Sequence, residues 1–106
     1  MVRIIPAIDI KDGKVVRLLQ GNYDRMTVYS DDPVGIAKQW VAQGAHMLHI
    51  VDLDGAREGM PWNIDVVRHI RKEVPLPIEF GGGLRNSNAV AQMIEMGIDR
   101  VVVGTK

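Results

Sequence analysis

The chain has 106 residues, no cysteine, and thirteen basic residues balanced by thirteen acidic ones. That length bounds it to a single domain. The charge balance offers no basic surface for nucleic acid or an anionic membrane, and without cysteine there is no disulfide or thiolate metal site. No apolar run approaches the roughly 20 residues of a membrane span. The N-terminal stretch turns acidic too early for a signal peptide, and a cytoplasmic location is expected.

Residues 3–8, Arg-Ile-Ile-Pro-Ala-Ile, predict a short first strand, with Pro6 near its start or at a sheet edge. A polar stretch from Lys11 to Asp32 follows, interrupted by Lys-Val-Val-Arg-Leu-Leu-Gln-Gly (14–21), which is expected to form a small extended ribbon. Residues 31–44 read as a helix. Asp31 or Asp32 caps it, Pro33 suits its first turn, Val34, Ala37, Trp40 and Val41 share a face, and Gly44 ends it. Residues 46–53 predict a strand, and residues 63–74 a helix with Ile64, Val67, Ile70 and Val74 inward. A strand at 77–80, a helix at 87–97 and a strand at 100–105 complete the chain.

The order is βαβαβαβ, so the strands are expected to be parallel, four of them with three intervening helices. Near-continuous apolar strands imply that both faces of the sheet are covered. Helices cover one face and the other needs something else. A weak internal repeat relates Trp-Val-Ala-Gln-Gly-Ala-His to Met-Ile-Glu-Met-Gly-Ile-Asp, with Gly44 and Gly97 at matching places. Tandem βα units and the general likeness of one such unit to another explain it equally well.

Residues 79–85, Glu-Phe-Gly-Gly-Gly-Leu-Arg, follow a strand and precede a helix. Side-chain-free backbone at the C-terminal end of a parallel strand can bring N–H groups close to an anion, and the next helix adds a partial positive charge. Gly104 and Thr105 end the next strand in the same way, and together the two ends form a candidate phosphate cradle. The plainer alternative is that the glycines only make tight turns. No G-x-G-x-x-G is present, which argues against a dinucleotide site. Asp9 ends the first strand. A carboxylate beside apolar residues there can have a raised pKa and act as a base. The alternative is a cap or a solvated turn acid.

Five blocks carry a resemblance: 4–23 (IIPAIDIKDGKVVRLLQGNY), 29–33 (YSDDP), 44–56 (GAHMLHIVDLDGA), 77–85 (PIEFGGGLR) and 97–105 (GIDRVVVGT). Over essentially the whole chain, in order, they resemble the N-terminal half of the phosphoribosylformimino-aminoimidazole carboxamide ribotide isomerases of histidine biosynthesis. The resemblance implies an α/β fold, half of a (βα)8 TIM barrel spanning 1–106, with the fourth helix missing. It implies an Amadori-type aldose–ketose rearrangement without metal or cofactor. Asp9 matches the family's general base. Gly82, Gly83, Gly104 and Thr105 match the site for one of two substrate phosphates. Arg17, His49, Asp52 and Arg85 match positions that line or close the pocket. His49 and Asp52 have opposite parity on one strand, so only one faces inward, and Asp52, at the strand tip, is the expected one. His46 and His69 read as surface residues.

The family's chains are longer than this one. Their general acid, at the end of strand five, and their second phosphate site lie beyond its residues, so an isolated monomer is expected to be inactive. Because the family's two halves resemble each other, the expected partners are a phosphoribosyl substrate and either a second copy or a complementary C-terminal half-barrel. A self-associating half-barrel that binds phosphate without catalysis is an alternative. Half of the related cyclase is another, with Lys11 near Asp9 as its supporting feature.

Overall fold

The computed structural model describes residues 3–19 and 22–103. Its ten elements are β1 (Ala7–Lys11), β2 (Lys14–Leu19), β3 (Asn22–Ser30), α1 (Pro33–Ala42), β4 (Leu48–Asp52), α2 (Leu53–Glu58), α3 (Ile64–Glu73), β5 (Ile78–Gly81), α4 (Ser87–Glu95) and β6 (Arg100–Val102). One six-stranded sheet runs in the order β3-β2-β1-β4-β5-β6. The four strands β1, β4, β5 and β6 pair in parallel, while β2 and β3 add an antiparallel hairpin to the edge of β1. The fold is thus α/β with a mainly parallel sheet, consistent with part of a TIM barrel. Among the described residues no helix is long and apolar enough to cross a membrane.

Three expectations are corrected. The sheet has six strands rather than four, because the ribbon after β1 is a full hairpin. Asp12 and Gly13, at φ 52° and 75°, make its tight turn, the left-handed pair that a two-residue hairpin requires. The sheet is flanked by four helices rather than three. The extra one, α2, is a six-residue turn too short to show a period. The first strand begins at Ala7 rather than Arg3. Residues 4–6 run beside β4, where Ile4 and Pro6 carbonyls accept from His46 and His49 N–H groups, but Pro6 has no N–H to return.

The predicted helices otherwise form where capping chemistry places them. Asp32 accepts the Gly35 N–H at the start of α1, next to Pro33, and Asn86 accepts the Ala89 N–H at the start of α4. Their inward faces meet one face of the sheet. Ile8, Ile10, Leu48, Ile50, Ile78 and Phe80 are fully buried there against Ala37, Val67, Ile70 and Met93. Val34, Trp40 and Val41 are half-buried at the margin of that core.

At the N-terminal ends of the strands Arg71 stitches the units together. Its guanidinium donates to Asp99 at 2.9 Å and to the Val74 and Leu76 carbonyls at 2.6 and 2.7 Å, while Asp99 also accepts the Ile78 N–H. This end of a barrel-type fold serves stability, and the opposite end carries chemistry.

Candidate active site

Successive residues of a strand point to opposite faces, so the alternate set faces away from the helices. Two rows result. Ala7, His49, Glu79 and Arg100 are partners across the four parallel strands, and Asp9, Val51, Gly81 and Val102 form the row nearer their C-terminal ends. Charge therefore lies on the face that no helix covers.

Asp9 is half-buried in the second row. Burial pushes its carboxyl above the ordinary value, and the charge of His49 works in the opposite direction. The strand continues two residues past Asp9 into the hairpin, so it is not the strand's tip. Beside it is a cavity of about 350 Å³ lined by Arg17, Tyr29, Val16 and Trp40. The Arg17 guanidinium sits over the Tyr29 ring, 5.0 Å from its centre, a cation–π arrangement at the cavity wall.

A second cavity of about 350 Å³ lies on the other side of β4, lined by His49, Val51, Gly81, Gly82, Gly83 and Arg85. Gly81 belongs to the open-face row, and its missing side chain leaves the space between Val51 and Val102 free. Gly82 and Gly83 turn the chain at φ 111° and 85°. A Cβ on Gly82 would collide with the Asp52 backbone, and one on Gly83 would meet the Gly55 carbonyl oxygen at 2.7 Å. Close packing, of Gly82 against the end of β4 and of Gly83 against Gly55 and Met60, thus explains the lack of side chains at these two positions by itself. The N–H groups of the turn remain at the rim, with the exposed Arg85 close by.

Asp52 does not face this side. It shares the parity of Leu48 and Ile50, is fully buried, and caps α2. Its oxygens accept the Gly55, Trp62 and Asn63 N–H groups and the Asn63 side-chain amide at 2.6–2.9 Å. The expectation for the pair is reversed: His49 faces the open side, and Asp52 holds the loop behind it. Asn63 also donates to Asp54 at 2.9 Å and accepts the Gly13 N–H, and Asp54 accepts the Asp12 N–H at 2.6 Å. This network ties the β1–β2 turn, just past Asp9, to α2. Burial raises the Asp54 carboxyl, but the Asn63 amide, the Asp12 N–H and the charges of Lys11 and Arg57 outweigh it and leave it below its ordinary value.

Gly104 and Thr105 lie outside the described residues. His46 and His69 are exposed, as expected. Sequence reading missed Glu79, Arg100, Asp54 and Asn63. Strand parity with Asp9 and His49 could have found the first two. Among the described residues no group of three His, Cys, Asp or Glu side chains is placed to hold a metal ion.

A parallel α/β sheet with an aspartate of raised pKa and a glycine-lined cavity near its C-terminal rim has the layout of a barrel-type enzyme site. The chain belongs to the family described as histidine biosynthesis protein, which matches residues 3–106. It is 60% identical over 102 residues to the 1-(5-phosphoribosyl)-5-((5-phosphoribosylamino)methylideneamino) imidazole-4-carboxamide isomerase of Persephonella marina, covering 96% of this chain and 42% of that protein. The isomerases of the same name from Chloroflexus aggregans and Chloroflexus aurantiacus are 55% and 54% identical over 104 residues, 98% of this chain and 43% of each relative. The chain therefore spans less than half the length of the curated relatives it matches.

Proposed function

We propose that the chain takes part in an aldose-to-ketose rearrangement of a substrate bearing two phosphoribosyl groups, with Asp9 as the base. The observation that carries this reading is the half-buried Asp9 carboxyl, raised by burial, on the open face of the sheet. A carboxylate made more basic by its surroundings is suited to taking the proton from ribose C2 and returning it at C1. The ring-opening step also needs an acidic group, and the chain spans 42% of the length of the Persephonella marina relative.

Gly82, Gly83 and Arg85 supply N–H donors and a positive charge for one phosphate, joined by Gly104 and Thr105. Arg17 closes the other side of Asp9. His49 reaches the same face, whereas Asp52 acts by holding the rim. The relatives' name, with its two phosphoribosyl groups, supports the substrate class.

The open face, with Val102 46% exposed in its upper row, is covered either by the rest of a barrel or by a second copy. Lys11, the feature that favoured a cyclase, is engaged with Asp12 at 3.0 Å.

The test is turnover of the biphosphate substrate by the chain alone and by the chain mixed with a complementary C-terminal half-barrel, with Asp9→Asn as control. Turnover that vanishes in the control while substrate binding persists supports the reading. Turnover unaffected by Asp9→Asn overturns it. Binding with no turnover in either preparation favours the phosphate-binding module instead.

A further inference from the structure

Beneath Asp9, in the lower row of the open face, three titratable side chains form a ladder across three adjacent strands. His49 Nδ1 lies 2.6 Å from Glu79 Oε1, and the other Glu79 oxygen, Oε2, lies 3.4 Å from the Arg100 guanidinium. The strand register places these residues directly opposite one another, so the ladder follows from the pairing. His49 Nδ1 is buried, although the residue lines the glycine cavity. A nitrogen lone pair and a carboxylate oxygen repel each other at 2.6 Å, so the contact needs a proton between them, and imidazole, ordinarily the stronger base of the two, takes it on Nδ1. The geometry in hand is that of a close charge contact rather than an aligned hydrogen bond, and among the described residues that nitrogen has no hydrogen-bond partner. Nε2 is then the ring nitrogen left for an occupant of the cavity.

We propose that Glu79 is a positioning residue: it fixes the His49 ring with Nδ1 protonated, holding Nε2 toward the cavity and the ring beside the Asp9 carboxyl. Arg100 orients Glu79 from the far side. The inference rests on the reading of Asp9 as the base. The charged groups bearing on His49 are Asp9 from β1, Glu79 from β5 and Arg100 from β6. Arg85 lines the same cavity as His49, and Arg17 lines that of Asp9. Arrangements of this kind, in which a carboxylate fixes the ring of a working histidine, let the imidazole act at one defined nitrogen.

The experiment is nuclear magnetic resonance on the intact 106-residue chain carrying 15N-histidine and 13C-carboxyl aspartate. There are three histidines. His46 Nδ1 accepts the Ile4 N–H at 3.0 Å and so gives the opposite tautomer as an internal reference. The expected result is a protonated Nδ1 for His49 in the unmodified chain. An unprotonated Nδ1 there overturns the proposal without any variant having to fold. Glu79→Leu and Glu79→Gln both remove the charge, and only Gln keeps an acceptor. The expected result is loss of the fixed tautomer in Glu79→Leu, its retention in Glu79→Gln, and a higher Asp9 titration midpoint in Glu79→Leu than in Glu79→Gln. A purely structural role would leave the two variants with the same Asp9 midpoint, and that result also overturns the proposal. Failure of the isomerase reading is seen separately, as turnover that ignores Asp9→Asn.

Discussion

The two faces of one sheet treat their side chains in opposite ways. On the helix-covered face six large apolar residues are fully buried, and at its rim both Asp52 oxygens and the Asp54 Oδ2 accept hydrogen bonds from backbone and from Asn63. On the open face His49, Glu79 and Arg100 stand in register one row below Asp9, and among the described residues no hydrogen bond to Asp9 favours its charge. The same residue type is thus driven in two directions. Asp54 is pulled below its ordinary pKa by donors, and Asp9 is pushed above it by burial. Hydrogen-bonded carboxylates build the rim, although one Asp54 oxygen, Oδ1, is buried with only the Arg57 guanidinium near it at 3.6 Å, and Asp9 is left for chemistry.

The largest test of this contrast is Phe80→Ala. It removes the biggest side chain of the covered face and should cost about 3–5 kcal/mol, read by chemical denaturation. A loss below about 1 kcal/mol would mean the covered face is not the core. Gly83→Ala should follow, because it combines a left-handed backbone with a Cβ against the Gly55 carbonyl. A cost of at least about 1–2 kcal/mol is expected. Unchanged stability would show that the turn does not pack against α2.

Asn63→Ala leaves buried oxygens of Asp52 and Asp54 short of a donor and should cost about 1–3 kcal/mol. The pH dependence separates the two aspartates further. Asp54 has a lowered folded-state pKa, so its contribution is present above its unfolded value and is lost as pH falls through the folded one. Asp54→Asn should therefore flatten the acid limb of a stability-versus-pH curve. Asp9 has a raised folded-state pKa, so folding disfavours its ionised form, and stability declines as pH rises from the unfolded value through the folded one. Asp9→Asn should leave the chain at least as stable at neutral pH while abolishing turnover. A clear destabilisation would make Asp9 a structural acid like Asp54.

The smallest effect is expected at the helix surface. Lys38 and Glu73 pair at 3.2 Å while largely exposed, and Lys38→Ala should change stability by no more than about 1 kcal/mol.

Much of this molecule was legible in one dimension. Asp32 and Pro33 mark the start of α1, the helical period selects Ala37, Val67 and Ile70 for burial, and apolar runs mark β4 and β5, because caps and periodicity act over a few residues. Asp12-Gly13 also carried the hairpin signal, though β3, polar and without a clear alternation, did not announce itself. What lay beyond the sequence was set by packing between elements. Strand register decided that His49 rather than Asp52 shares a face with Asp9, and that Glu79 and Arg100 stand beside His49. The positions of the end of β4 and of α2 with its following loop against the glycine turn decided why Gly82 and Gly83 lack side chains. Parity along a strand can be read from sequence, but which parity faces the helices is settled only when the sheet and its helices meet.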